Sequence, residues 1–167
     1  MFNIGDKIVY GSEGVFTVSE YTSSPIDKND ARVFYILVPL YGPQNNKIVA
    51  PGEGGAVSVR AVISRDDALA LIERIPDIEE VTVLQERGRR DAYREVLNGG
   101  RGEDYVSIIK TVRRRRKEFM AQKRRLSETD TDFESRAKNC LFSEIATALG
   151  VTKGEAEAIV DEKLIIE

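Results

Sequence analysis

Histidine and tryptophan are absent from the 167 residues, and cysteine occurs once. Without histidine, the chain lacks the usual general base near neutral pH and the commonest ligand of transition metals. A single cysteine, Cys140, excludes a disulfide within the chain and a thiolate cluster for zinc or iron–sulfur. Its apolar neighbours Leu141 and Phe142 predict a buried position. The usual catalytic and metal-binding residue sets are therefore mostly missing, and we expect no metal site.

Long hydrophobic runs are also absent. No run approaches the ~18 apolar residues of a membrane span, and residues 1–6 lack the basic and apolar regions of a signal peptide. At roughly 100–200 residues per domain, the length fits one ordinary domain or two small ones. The hydrophobic fraction of 41% predicts a modest core. We expect a cytoplasmic protein that does not enter a membrane.

The formal net charge of −3 conceals a strong segregation of charge along the chain. Residues 85–125 carry 14 basic and 6 acidic side chains, whereas residues 65–84 and 126–167 are acidic. A basic block of this kind is typical of proteins that bind polyanions such as nucleic acids. A solvated helix face that pairs with the acidic segments on either side explains it equally well. The abundance of arginine over lysine slightly favours bidentate phosphate contacts.

The first 60 residues predict short β-strands. Runs rich in β-branched and aromatic residues alternate with turn signals, and they predict strands at 7–10, 15–21, 32–40, 47–50 and 56–59. Five short strands in this length indicate a small SH3- or Tudor-like β-barrel, which closes most of its edges. Neither glycine-rich turn, 11–14 or 51–55, opens a helix or carries the Lys-Ser/Thr of a P-loop, so both are interpreted as strand connections.

From Ser64 onward the apolar residues recur at helical spacing. Ser64 with Asp67 predicts the start of a first helix that Pro76 ends. Further helices are predicted at about 87–97, at 104–122, from near Thr131 to 149, and after Thr152. The fold class is therefore α+β, with a β-domain at 1–62 and an all-α domain of about five helices at 63–167.

Several motifs resemble the CarD-like family of bacterial transcription regulators. Residues 2–10 (FNIGDKIVY) with the turn 11–15 (GSEGV) are similar to the family's opening strand and turn. Residues 141–152 (LFSEIATALGVT) with 155–157 and Asp161 resemble its closing helix pair. Residues 89–100 and 105–116 match the family's second and third C-terminal helices in spacing.

The resemblance implies a non-enzymatic adaptor without a cofactor. In the family, the Tudor-like domain docks on the lobe of the RNA polymerase β subunit by strand addition, as does the related domain of the transcription-repair coupling factor. The helical domain contacts promoter DNA at the upstream edge of the melted bubble and stabilises the open complex. By alignment, the polymerase contacts would involve Pro25, Ile26, Lys47 and Val49.

The DNA contacts are expected to be mainly to phosphates. Arg87, Arg90 and Arg94 recur at a spacing that places them on one helix face, next to Arg89. A second group of candidates comprises Arg113 and Arg114, within the run 113–116.

The chain departs from the family in two places. The tryptophan wedge of the best-known members would fall at about Glu86-Arg87, and the loop 126–132, where relatives present lysines, is acidic.

Two other classes of function remain open at this point. The first is a nucleic-acid-binding protein that acts through its Arg-rich helices independently of RNA polymerase. The near-neutral first domain argues against it, because such a domain more plausibly binds protein than nucleic acid. The second is an enzyme that uses carboxylates such as Glu144 or Asp161. Both carboxylates lie in amphipathic helices, where a solvated face is the ordinary role.

Overall fold

The change of periodicity near residue 62 is also a boundary in the structure. The structure, a computed structural model, describes residues 1–165. Its contacts divide the chain into two units, Met1–Val62 and Ile63–Glu167. All strands lie in the first unit and all α-helices of the described residues lie in the second.

The first unit is one antiparallel sheet of five strands: β1 (Lys7–Tyr10), β2 (Val15–Thr22), β3 (Phe34–Pro39), β4 (Ile48–Pro51) and β5 (Val59–Ala61). The strand order is β4-β3-β2-β1-β5. Within residues 1–165, β4 and β5 are each paired on one side only, so the sheet is open. The expectation of a closed barrel is therefore not met by the strand pairing.

One face of this sheet carries the core of the first unit. Ile8, Phe16, Val18, Tyr35, Leu37 and Ala50 form a buried apolar cluster. The turn after β1 depends on Gly11, whose φ of +48° lies in the left-handed region and whose Cβ position is occupied by Val57.

The last strand differs from the prediction. It begins at Val59 rather than at residue 56. Pairing with β1 sets its register, because the Gly11 N–H donates to the Ser58 carbonyl at 2.9 Å.

The second unit contains five α-helices within the described residues: α1 (Arg65–Arg74), α2 (Arg89–Gly99), α3 (Gly102–Ala121), α4 (Glu128–Leu149) and α5 (Lys153–Leu164). Short 3₁₀ turns cover Ile75–Asp77 and Glu86–Gly88. The prediction of about five helices is confirmed. The helices α3 and α4 pack together. Both carry fully buried side chains, such as Ile109 on α3 and Leu141 on α4.

Side-chain caps fix where three of the helices begin. Ser64, Ser127 and Thr152 each accept a hydrogen bond from the backbone N–H three residues later. The caps at Ser64 and Thr152 were predicted. Because Ser127 also caps, α4 begins three residues before the predicted Thr131.

The single cysteine, Cys140, is buried, as predicted. In the part of the chain that the structure describes, none of the helices combines the length and apolar character that crossing a bilayer requires.

Candidate functional site

The open edge of β4 presents unpaired backbone groups at Val49. The Gly52 N–H donates to the Val33 carbonyl at 2.9 Å, so Gly52 directs its polar groups towards β3. Because this direction alternates along an antiparallel strand, Ala50 and Ile48 also face β3. Val49 therefore points both its N–H and its C=O away from the sheet, and 42% of its surface is exposed. This geometry can accept an added strand.

Of the other three predicted polymerase contacts, one adjoins this edge and two lie in the loop between β2 and β3. Lys47 is exposed and immediately precedes β4. Pro25 and Ile26 lie in the loop between β2 and β3, and Ile26 is 95% exposed. That loop leads into β3 at Phe34, which pairs with Pro51, whereas Lys47 lies at the opposite end of β4. Val49 and Lys47 thus belong to the same edge of the sheet, and the contacts of Pro25 and Ile26 stay a prediction.

The arginine run 113–116 is engaged by the domain's own carboxylates. Arg113 pairs with Asp161. Arg114 contacts Glu80 at 2.5 Å and Glu118 at 2.8 Å. Arg116 forms a bidentate pair with Glu134, with both hydrogen bonds at 2.8 Å. The hydrogen bond to Glu80 is the main reason why the pKa of Arg114 is raised above its ordinary value. In the structure, the run therefore pairs with carboxylates of the same unit. A phosphate bound by Arg113 or Arg114 would have to compete with these ion pairs.

Arg89 and Arg115 belong to a buried ionic network around Asp130. Arg89, which is 9% exposed, places its Nε 3.1 Å from Asp130 Oδ1. Arg115 Nε lies 3.3 Å from the same carboxylate, and the Tyr93 hydroxyl donates to Asp130 Oδ1 at 2.7 Å. Burial, together with the hydrogen bond to Asp130, raises the pKa of Tyr93 above its ordinary value. Arg89 is therefore engaged by Asp130 inside the domain, and its contact with DNA stays a prediction.

Both places where the sequence departs from the family pattern contribute a carboxylate to this network: Glu86 at the first and Asp130 at the second. Glu86 binds Arg115 at 2.9 Å and also pairs with Arg89, so its carboxylate is held by arginines. In the acidic segment 126–132, Asp130 is fully buried and Ser127 is a helix cap. Glu128 and Asp132 remain exposed there.

The remaining predicted DNA contacts, Arg87, Arg90 and Arg94, are exposed. Within residues 1–165, neither Arg87 nor Arg90 makes an ion pair, and Arg94 makes one exposed pair with Asp91 at 3.2 Å. An exposed pair of this kind contributes little to stability.

Arg90 and Arg94 line an open groove of about 350 Å³ between α2 and α4. Its other lining residues are Asp132, Phe133, Ser135 and Arg136. The sequence did not point to Arg136, because it lies in a segment with a net negative charge.

The carboxylates considered for catalysis have structural partners. Glu144 is 2% exposed, and its Oε1 accepts a hydrogen bond from the Ile63 N–H at 3.1 Å. Asp161 pairs with Arg113. Among residues 1–165, no group of three or more His, Cys, Asp or Glu side chains could hold a metal ion.

The Arg116–Glu134 pair predicts a dependence of stability on pH. Burial alone would raise the pKa of Glu134, but hydrogen bonding and the charges of Arg116 and Lys138 outweigh it and lower the pKa below 4.5. The charged form is thus favoured by folding, so this contribution is present above about pH 4.5 and is lost as the pH falls through the lower, folded-state pKa. We expect Glu134→Gln to be less stable than the parent at neutral pH, with the difference shrinking in acid.

Urea unfolding at a series of pH values measures this difference in the free energy of unfolding. Glu128→Gln, at the exposed start of the same helix, is the matched control and should show a much smaller difference. A difference for Glu134→Gln that is constant from neutral to acidic pH would exclude this ion pair as its source.

Comparisons with known proteins leave the family open. Neither a scan against protein-family models nor a search of the curated proteins finds a match to the chain. The function is therefore inferred from the residues and their geometry.

Proposed function

We propose that the chain is a CarD-like, non-enzymatic transcription regulator. Its first unit, a Tudor-like domain in this proposal, binds the β subunit of bacterial RNA polymerase. The observation that supports this most is the open β4 edge, where Val49 offers both backbone groups next to the exposed Lys47. Strand addition is the mode of recognition that such an edge serves.

The second unit contacts promoter DNA in this proposal, near the upstream edge of the bubble, and modulates the stability of the open complex. Arg87, just before α2, and Arg90 and Arg94 on α2 supply the phosphate contacts. Within residues 1–165, Arg87 and Arg90 make no ion pair, and Arg94 makes only one exposed pair with Asp91. Phosphate contacts position a protein on DNA without selecting a sequence. DNA binding by the chain alone is therefore expected to be weak and to fall steeply with salt.

A direct binding measurement tests the proposal. The full-length chain is immobilised and exposed to purified bacterial core RNA polymerase and to the same enzyme with the β lobe deleted. We expect the intact polymerase to bind and the lobe-deleted enzyme not to bind. Equal binding of both enzymes would place the contact elsewhere on polymerase, and binding of neither would overturn the proposal.

A second candidate function is a nucleic-acid-binding protein that acts independently of polymerase. The groove between α2 and α4 favours it, because arginines outnumber carboxylates among its lining residues. The two candidate functions differ in whether the chain needs RNA polymerase in order to bind nucleic acid. If the full-length chain binds duplex DNA or RNA equally well with and without polymerase, the second candidate is correct.

A further inference from the structure

The groove between α2 and α4 brings together arginines from two helices. Arg90 and Arg94 lie one turn apart on α2, and Arg136 comes from α4. Phe133, which is almost completely buried, also lines this groove. The volume of about 350 Å³ and the open shape suit a chain that passes through the groove better than an enclosed small molecule.

Arg136 is positioned by an aromatic platform. Its guanidinium carbon lies 5.4 Å from the centroid of the Phe133 ring. The Phe133 ring lies 5.5 Å from the Tyr93 ring, and the Tyr93 hydroxyl donates to the buried Asp130. A guanidinium held over a fixed ring loses less conformational freedom on binding than a free side chain. Arg136 is thus partly pre-organised at the groove.

The charges that line the groove favour an anion. Its lining residues include three arginines and a single carboxylate, that of Asp132, and Arg94 also makes an exposed pair with Asp91 outside the groove lining. The planar guanidinium matches two oxygens of a phosphate with two parallel hydrogen bonds.

We infer that Arg136 completes a phosphate clamp that holds the backbone of one nucleic-acid strand between α2 and α4. Arg90 and Arg94 contact the strand from one side, and Arg136 contacts it from the other. This inference rests on the proposed DNA contact and extends it to a residue on a different helix. Asp132 sets the strength of the clamp, because its carboxylate repels the same phosphates.

Two substitutions with opposite expected effects test the clamp. The binding of the full-length chain to a polymerase–promoter complex is measured at several salt concentrations. Arg136→Gln should weaken the interaction about tenfold by removing a charged hydrogen bond, and should reduce the salt slope by about one. Asp132→Asn should strengthen the interaction roughly twofold to fivefold. A general loss of stability cannot produce a gain, so the second variant separates charge from folding.

Controls distinguish failure of the clamp from failure of the proposed function. Arg101→Gln alters an exposed arginine that pairs with Asp104 outside the groove, and it should change nothing. If Arg90→Gln weakens binding while Arg136→Gln and Asp132→Asn have no effect, the clamp is wrong and the proposed DNA contact stands. If Arg90→Gln and Arg136→Gln both have no effect, the proposed contact fails as well.

A polymerase-only measurement excludes a protein ligand. In the absence of DNA, Arg136→Gln should bind polymerase as the parent chain does. Weaker binding there would mean that the groove holds an acidic protein segment, and the clamp would be overturned.

Discussion

Replacing Val49 by proline is expected to weaken binding of the full-length chain to RNA polymerase at least about tenfold while leaving the chain folded. Proline removes the one N–H that Val49 directs to the open edge of the sheet, and it leaves intact the hydrogen bonds of Ala50 and Ile48 to β3. An added strand would then keep an unpaired carbonyl, which should weaken binding at least about tenfold. Binding of the parent and variant chains to core polymerase, compared by titration, measures the effect.

The fold should tolerate this change. Proline is accepted on edge strands where its missing N–H faces outward, and Pro51 already occupies the equivalent outward position two residues later. We expect the free energy of unfolding to change by no more than about 1 kcal/mol.

Two matched variants isolate the edge of β4. Val49→Thr keeps the N–H and the β-branched shape and should bind as the parent does. Ala61→Pro removes an outward N–H from β5 at the opposite edge of the sheet, and it should also bind normally. Normal polymerase binding by Val49→Pro would exclude strand addition at β4, even if polymerase binds the chain by another surface.

Of all the substitutions proposed for this chain, removal of the Asp130 carboxylate is expected to lower the free energy of unfolding the most. Its two oxygens accept hydrogen bonds from Tyr93, Arg115 and Ser127, and Arg89 Nε lies 3.1 Å away. Within residues 1–165, Asp130→Ala would leave two largely buried guanidinium groups with the exposed Glu86 as their only carboxylate partner. Removing one member of a buried ionic network lowers the free energy of unfolding by about 3–5 kcal/mol. Because the Glu86 pairs remain, we expect a decrease of about 3 kcal/mol.

Urea unfolding followed by the circular dichroism of the helices measures this loss, because all the described α-helices belong to the second unit. Asp132→Ala, two residues later on the same helix and exposed, is the control and should change stability by less than about 0.5 kcal/mol. A loss below about 1 kcal/mol for Asp130→Ala would show that Glu86 suffices to compensate both arginines.

The buried network also bears on the tryptophan wedge expected from the resemblance to CarD-like regulators. Glu86, at the matching place, binds Arg115 and Arg89 in this chain. A tryptophan introduced there would therefore disrupt an internal contact as well as alter the surface. The segment before α2 is thus fixed to α3 by charge in this protein.

The sequence by itself determined the types of element and the boundary between them. Runs rich in β-branched and aromatic residues between turn signals predicted the strands of the first unit, and helical spacing with capping residues predicted the helices of the second. These signals are local, because the period of a strand or helix and the cap at its end depend on residues close together in the chain.

Tertiary structure decided which edges of the sheet are open, which arginines lie beside carboxylates and which arginines lie beside one another. Arg113 pairs with Asp161 across 48 positions and Arg114 with Glu80 across 34, so the most basic run of the sequence is largely neutralised. Arg136, in an acidic segment, is instead brought beside Arg90 and Arg94. Electrostatic interaction depends on distance in space, and the spacing of charges along the chain does not set that distance.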